Sequence, residues 1–260
     1  MRVSIIGSGN VATHFAAAFK NAGHKIVQVY SRNPEHAALL AYHVKAEPID
    51  NLEAISTETD IFVIAISDGQ IDLVASVLSK HHKTMVHTSG ATALATLTKY
   101  SELAGVFYPL QTLSKNREVD FLTVPLCIEG YNETITKQLL DLAQSVSNKV
   151  YLVNSEQRKI LHLSAVFACN FPNYLYSVAE QLLKQSNLDF DIIRPLILET
   201  AQKVQQLLPN EAQTGPAARN DTVTMEAHLQ LLAGNPVLEN MYKLISQEII
   251  KNQEANRILG

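Results

Sequence analysis

The sequence holds only two cysteines, Cys127 and Cys169. They sit in apolar surroundings without C-x-x-C spacing, which excludes a disulfide framework and points to a reducing compartment. Runs of lysine and arginine are also missing, and the net charge is −4. Binding to a phosphate backbone rests on clustered cations, so nucleic acid is excluded as a main partner. No stretch approaches the roughly 18 apolar residues of a membrane span. The opening Met-Arg-Val-Ser-Ile-Ile-Gly is too short an apolar run for a signal peptide. A cytoplasmic location without membrane contact is therefore expected. Repeats and low-complexity segments are absent. So are His/Cys/carboxylate spacings suited to zinc and a G-x-S-x-G elbow, so neither a metal site nor a hydrolase is expected.

What is present is an alternation. Short β-rich runs at 3–6, 26–30, 60–66, 84–87, 104–110, 124–129 and 149–153 are separated by helical patterns, which implies parallel βαβ units. Ile61-Phe62-Val63-Ile64-Ala65-Ile66 is continuously apolar, as in central strands covered on both faces. Asn33-Pro34, Asp50 to Glu53 and Ser67 to Gln70 read as helix starts. After Val153 strand runs vanish. From Glu156 to Lys184 two apolar stripes step by three and four, one through Ile160, Leu163, Phe167, Phe171 and Tyr174, predicting a helix buried on two sides. More helices follow over 191–208, 221–232 and 236–252. The predicted fold is α/β: a doubly wound Rossmann sheet over 1–153 and an all-α domain over 154–260, for substrate and dimerisation.

Gly7-Ser8-Gly9-Asn10-Val11-Ala12 follows the first strand and opens a helix within one βαβ unit. Gly7 permits the tight turn, Gly9 lets backbone approach a pyrophosphate, and Ala12 allows close helix packing. Free N–H groups and the dipole at the helix start attract phosphate. The second strand ends in Tyr30-Ser31-Arg32-Asn33, without the acid that reads the ribose hydroxyls of NAD. Ser31 and Arg32 suit a 2′-phosphate, which predicts NADP(H) over NAD(H), although Arg32 also reads as a surface residue.

Ligands in open α/β sheets sit beyond the carboxyl ends of the strands. That singles out Ser67 and Asp68, which also read as helix caps, His87-Thr88-Ser89-Gly90, and Tyr108-Pro109-Leu110-Gln111. His87 reads either as a general acid or as a histidine satisfied by backbone at a strand end. On the long helix Lys159, His162, Val166 and Asn170 share a narrow arc, and Pro172 is expected to bend the rod. The arc reads as a face toward nicotinamide and substrate, or as a solvated start with a structural Asn at a kink. Thr214-Gly215-Pro216 precedes Arg219 and Asp221, an ion-capable pair of which Asp221 also reads as an N-cap.

Together these motifs, with His87-Thr88-Ser89-Gly90-Ala91, Tyr108-Pro109-Leu110-Gln111, Asn170 and Thr214-Gly215-Pro216, resemble Rossmann-like NADP oxidoreductases carrying a C-terminal helical domain of unassigned function. The chain is more distantly similar to pyrroline-5-carboxylate reductases and the 6-phosphogluconate and 3-hydroxyisobutyrate dehydrogenases, which pair a Rossmann domain with a dimer-forming helical one. Those dehydrogenases carry a lysine one turn before the Asn, where this chain has Val166, so their mechanism is not carried over. The related Pro-Leu-Gln motif often follows His, where this chain has Tyr108. The resemblance implies a homodimeric reductase transferring hydride to a carbonyl or imine of a small metabolite. His162 or His87 is then the general acid, Asn170 holds the substrate heteroatom, and Tyr108, Gln111, Arg219 and Asp221 contact substrate. The alternative is a catalytically inactive NADP-binding sensor with a dimerising helical domain.

Overall fold

The computed structural model describes the backbone of residues 1–259 and the side chains of residues 1–255. The chain forms two compact units, Met1–Leu175 and Tyr176–Gly260. In the first, β1 (Arg2–Ile6), α1 (Asn10–Asn21), β2 (Lys25–Tyr30), α2 (Pro34–Val44) and β3 (Glu47–Ile49) make one βαβαβ half. The other half is β4 (Ile61–Ile64), α3 (Ile71–Leu78), β5 (Thr84–His87), α4 (Ala95–Thr98) and β6 (Ala104–Pro109). Next come β7 (Leu126–Gly130), α5 (Glu133–Gln144), β8 (Val150–Leu152) and α6 (Ser155–Ala165). The strands form one sheet in the order β3-β2-β1-β4-β5-β6-β7-β8.

Both sheet faces are covered, which is why the central strands read as continuously apolar. Ile5 and Val63 pack on the side of α1, Ile6 and Ile64 on the side of α3. On the α1 side Phe15 meets Phe19, Phe107 and Phe121 at ring centroid distances of 5.5, 5.4 and 5.2 Å. Each fully buried ring contributes about 1.5–3 kcal/mol. Asn33 accepts from the Glu35 and His36 amides to start α2, with Pro34 at the first position. At the next expected start the cap is Asn51 rather than Asp50, and it opens only a 3-10 turn.

One strand departs from the expected parallel pattern. β7 pairs antiparallel with β6, Tyr108 opposite Cys127 and Val106 opposite Glu129, while β8 runs parallel to β7. A parallel neighbour needs a long crossover, usually a helix. The 110–125 connection contains only a 3-10 turn, so the chain doubles back at the carboxyl edge of the sheet. There it straps α1: His14 Nε2 lies 2.9 Å from the Ser114 carbonyl, and the Lys115 amide donates to Asn10 Oδ1 at 3.3 Å.

The expected long helix is α6, a π turn over Val166–Asn170, and α7 (Phe171–Gln185). Pro172 has no N–H to give the carbonyl four residues back, and the π turn absorbs that loss. Burial of the helix on two sides does not hold within one chain. Ile160, Leu163, Phe167, Phe171 and Tyr174 remain 48–66% exposed, because the sheet lies against only the opposite side.

The second unit is helical: the end of α7, then α8 (Arg194–Lys203), α9 (Pro209–Ala212), α10 (Thr222–Leu231) and α11 (Pro236–Leu259). The fold is thus an α/β Rossmann sheet followed by a helical region. Among the described residues no helix is long and apolar enough to cross a membrane, and no group of three or more His, Cys, Asp or Glu is set to hold a metal ion.

Candidate active site

The sheet changes direction of growth between β1 and β4, the switch point at which open α/β sheets bind ligands. The glycine-rich turn lies there. Gly7 has φ +128°, and a Cβ on it would lie 2.1 Å from the Ala65 carbonyl oxygen, so β1 and β4 approach each other closely only with glycine at this place. A Cβ on Gly9 would meet nothing within 4 Å. Gly9 is the N-cap of α1, no side chain caps that helix, and Ala12 is fully buried beneath it. The turn is therefore an open cradle of backbone N–H groups at the positive end of a twelve-residue helix, suited to a pyrophosphate.

Two cavities flank this turn and share Gly9, Ala65 and Ile66. One, of about 580 Å³, is lined by Gly7, Ser8, Ser31, Arg32, Asn33 and Ser67 among others. Ser31 Oγ accepts from Ser8 Oγ at 2.9 Å and from the Asn33 amide at 3.3 Å, so its own proton is free for a ligand oxygen. Arg32 is exposed at the rim and makes no ion pair among the described residues. Ser67 stands at a 3-10 helix start but makes no capping bond.

The other cavity, of about 560 Å³, brings Gly9, Asn10, Val11, Asp68, Thr88, Gly90, Tyr108, Gln111, His162 and Asn170 together. At its base Tyr108 Oη and His162 Nδ1 share a hydrogen bond of 3.0 Å. Burial pushes the Tyr108 phenol up to about 12, the neighbouring Cys127 adds to this, and Arg158 opposes it. Tyr108 therefore carries its proton throughout the physiological range. Gly90 makes room for the pair: a Cβ there would lie 2.6 Å from His162 Nδ1 and 2.9 Å from Tyr108 Cζ. Gln111, which lines the cavity, accepts through Oε1 from the Thr112 amide at 2.9 Å.

The π turn changes which helix residues reach this cavity. In a regular helix the eight positions from His162 to Asn170 leave them about 80° apart. One π turn takes up an extra residue and brings the offset to roughly 20°. Ala165 and Cys169 line the cavity between them, whereas Val166 and Lys159 do not. Lys159 is exposed and paired with Glu156 at 2.9 Å.

His87 does not fit the expected general acid. It is fully buried, is not among the cavity's lining residues, and accepts from the Ser89 amide at 3.2 Å through Nδ1. Nε2 faces the Ala93 backbone without a well-formed hydrogen bond. Burial, reinforced by the Arg158 guanidinium, pushes it down to about 3, so it is a neutral core histidine. Ser89 holds its own turn, accepting from the Ala91 and Thr92 amides at 3.1 and 2.9 Å.

Arg219 and Asp221 belong to the second unit. Arg219 ends a 3-10 turn packed on α11, and Asp221 caps α10, accepting from the Thr224 amide at 3.1 Å and from its hydroxyl at 2.7 Å. Those bonds, with Arg219 and His228 contributing, hold the Asp221 carboxyl below its usual range.

A buried network beneath the pair has no counterpart in the sequence reading. Arg158 is fully buried and donates to Glu129 Oε2 at 2.5 Å and to the Thr92 carbonyl at 2.6 Å. A single arginine on an amphipathic helix and a glutamate near a strand end carry no periodic signal, since each reads as a solvated residue.

Residues 2–90 match the family profile described as NADP oxidoreductase coenzyme F420-dependent, and residues 124–249 match a domain of unknown function, DUF2520. A crystallised Bacteroides fragilis protein designated an NADP oxidoreductase is 41% identical, with a TM-score of 0.90 over 96% of this chain and 98% of its own. A Thermotoga maritima protein is 20% identical, with a TM-score of 0.73 over 98% and 99% of the two chains. An imine reductase from Myxococcus stipitatus, solved with NADP+, shares the fold at 13% identity, with a TM-score of 0.65 over 99% and 95%. No protein of curated function matches the sequence. The chain belongs to the NADP oxidoreductase family of the Bacteroides fragilis protein, with a Rossmann domain followed by a DUF2520 domain.

Proposed function

We propose that this protein uses NADP(H) to reduce the carbonyl or imine bond of a small metabolite, with Tyr108 and His162 handling the proton. The observation that carries this reading is the cavity shared by the open phosphate cradle at Gly9 and the Tyr108–His162 pair. When bound, the dinucleotide supplies the hydride. Gly7 through Ala12 hold the pyrophosphate by backbone N–H groups, Ser31 and Arg32 hold the 2′-phosphate, and Ser67 borders the adenosine side. Tyr108 Oη gives its proton to the substrate heteroatom, and His162 Nδ1, 3.0 Å away, replaces it. Asn170 and Gln111 orient the substrate by amide hydrogen bonds across the cavity.

A homodimer fits the same reading. The exposed stripe from Ile160 to Tyr174, in which Phe167 and Phe171 meet edge to face at 4.9 Å, is the kind of face a second copy covers. A cytoplasmic setting keeps the two free cysteines reduced.

The test is NADPH fluorescence on mixing, then oxidation at 340 nm against ketoacids, aldehydes and cyclic imines. Binding with turnover of any of these supports the proposal. Binding without turnover overturns the reductase in favour of a cofactor sensor, and no binding overturns both. Light scattering at micromolar concentration reads the dimer, and a monomer contradicts it.

A further inference from the structure

The cavity explains what the Tyr108–His162 pair can do but not what holds it. Tyr108 stands on β6 and His162 on α6, so their 3.0 Å hydrogen bond requires the helix to sit in one register over the sheet. Beneath it runs a chain of polar contacts. Val106 and Tyr108 of β6 face Glu129 and Cys127 of β7, all on the sheet face that carries α6. Glu129 accepts from the Ser155 amide at 3.0 Å, the Ser155 hydroxyl at 2.8 Å and Arg158 at 2.5 Å, gripping the first turn of α6. Arg158 also donates to the Thr92 carbonyl at 2.6 Å, and Ser155 Oγ accepts from the Leu94 amide at 2.9 Å. These two bonds fix the segment whose Gly90 lies against both rings. His162 follows Arg158 by four residues, one turn further on the same helix face.

A largely buried ion pair such as Arg158–Glu129 seldom stabilises a fold more than apolar residues of the same volume, and its best-attested use is to fix register. Few apolar contacts do that here: among the described residues Val106, Tyr108 and Cys127 form a small cluster, with Leu94, Leu110, Val153 and Leu161 partly buried against it. We infer that Glu129, Ser155 and Arg158 are positioning residues that set α6 and the 88–94 segment so that His162 Nδ1 meets the Tyr108 hydroxyl. The inference rests on the proposed function for its catalytic meaning, but its geometric content stands apart from it. The Arg158 charge also opposes the rise that burial imposes on the Tyr108 phenol, so the same residue favours release of that proton.

The experiment is nitrogen NMR of the full chain labelled with ¹⁵N-histidine, the His162 signal assigned through His162→Gln and its response to losing the bond calibrated with Tyr108→Phe. Arg158→Lys keeps the charge but loses the planar fork, and Glu129→Gln keeps the shape but loses the charge. Both are expected to move His162 Nδ1 toward its position in Tyr108→Phe while NADPH affinity stays within about twofold. Where a substrate is turned over, kcat falls roughly ten- to a hundredfold with KM little changed, the expected cost of misplacing a proton donor by about 1 Å. A folded Arg158→Lys chain with His162 Nδ1 unmoved overturns the inference. If that variant does not fold, Ser155→Ala, which removes one hydroxyl, decides by the same signal. Absence of turnover in the unmodified protein defeats the proposed function while leaving the NMR result to decide the positioning role.

Discussion

Replacing Gly90 with alanine probes the site with a single methyl group. The added carbon would lie 2.6 Å from His162 Nδ1, 2.7 Å from His162 Cγ and 2.9 Å from Tyr108 Cζ. Ordinary carbon contacts are about 3.5–4.0 Å, so one ring must retreat by roughly 1 Å. No strained backbone is involved, because Gly90 is not at positive φ. The room for retreat is the cavity itself, which both rings line. Overpacking costs about 1–3 kcal/mol, and losing the Tyr108–His162 hydrogen bond about 1 kcal/mol more. Urea unfolding at constant m should register that loss as a lower midpoint. Activity should suffer more, with kcat falling roughly a hundredfold, because the donor moves relative to its acceptor while the phosphate cradle is untouched. Wild-type stability together with wild-type turnover in Gly90→Ala would refute the packing argument and the role of the pair.

Other substitutions separate folding from binding. Gly7→Ala, at φ +128° and 2.1 Å from a backbone oxygen, should lose stability by more than about 1–3 kcal/mol. Gly9→Ala, with nothing within 4 Å, should keep its thermal midpoint yet lose NADPH affinity by about tenfold or more. Arg32→Ala should weaken NADPH but not NADH, as read by their dissociation constants, and equal losses would contradict the 2′-phosphate assignment. His87 titrates at about 3 in the fold against an ordinary 6.5. The unfolded chain therefore binds the extra proton first, and stability present above about pH 6.5 drains by up to about 1.4 kcal/mol per unit as pH falls toward 3. His87→Gln should flatten that slope in denaturant titrations across the same range.

How far these features were legible in the sequence depends on their physical range. The Rossmann half is written in local signals: continuously apolar strands, the Asn33-Pro34 start, and glycines whose positions the turn dictates. β3 escaped because it is three residues long, contains Pro48 and lies on the sheet edge. The reversal of β7 escaped because strand patterning carries no direction, and only the lack of a helix across 110–125 announces it. On the long helix the polar stripe pointed at His162 and Asn170, but a regular helix leaves them about 80° apart at the two edges of that arc, and the π turn that brings them together leaves only Pro172 as its trace. His87 and Arg158 mark the same limit at two places. His87 reads either as a general acid or as a histidine satisfied by backbone and is sealed in the core, while Arg158 carries no pattern at all and is buried against Glu129, since each outcome depends on partners far away in sequence.

The central claim is that Tyr108 and His162 deliver the proton of a reduction carried out beside the glycine-rich turn. Its most direct measurement is the rate of NADPH oxidation at 340 nm by Tyr108→Phe and His162→Gln on whichever test compound the unmodified protein reduces fastest. The account predicts NADPH binding within about twofold of wild type and kcat lower by roughly a hundredfold or more in both variants. Wild-type rates in both would contradict it.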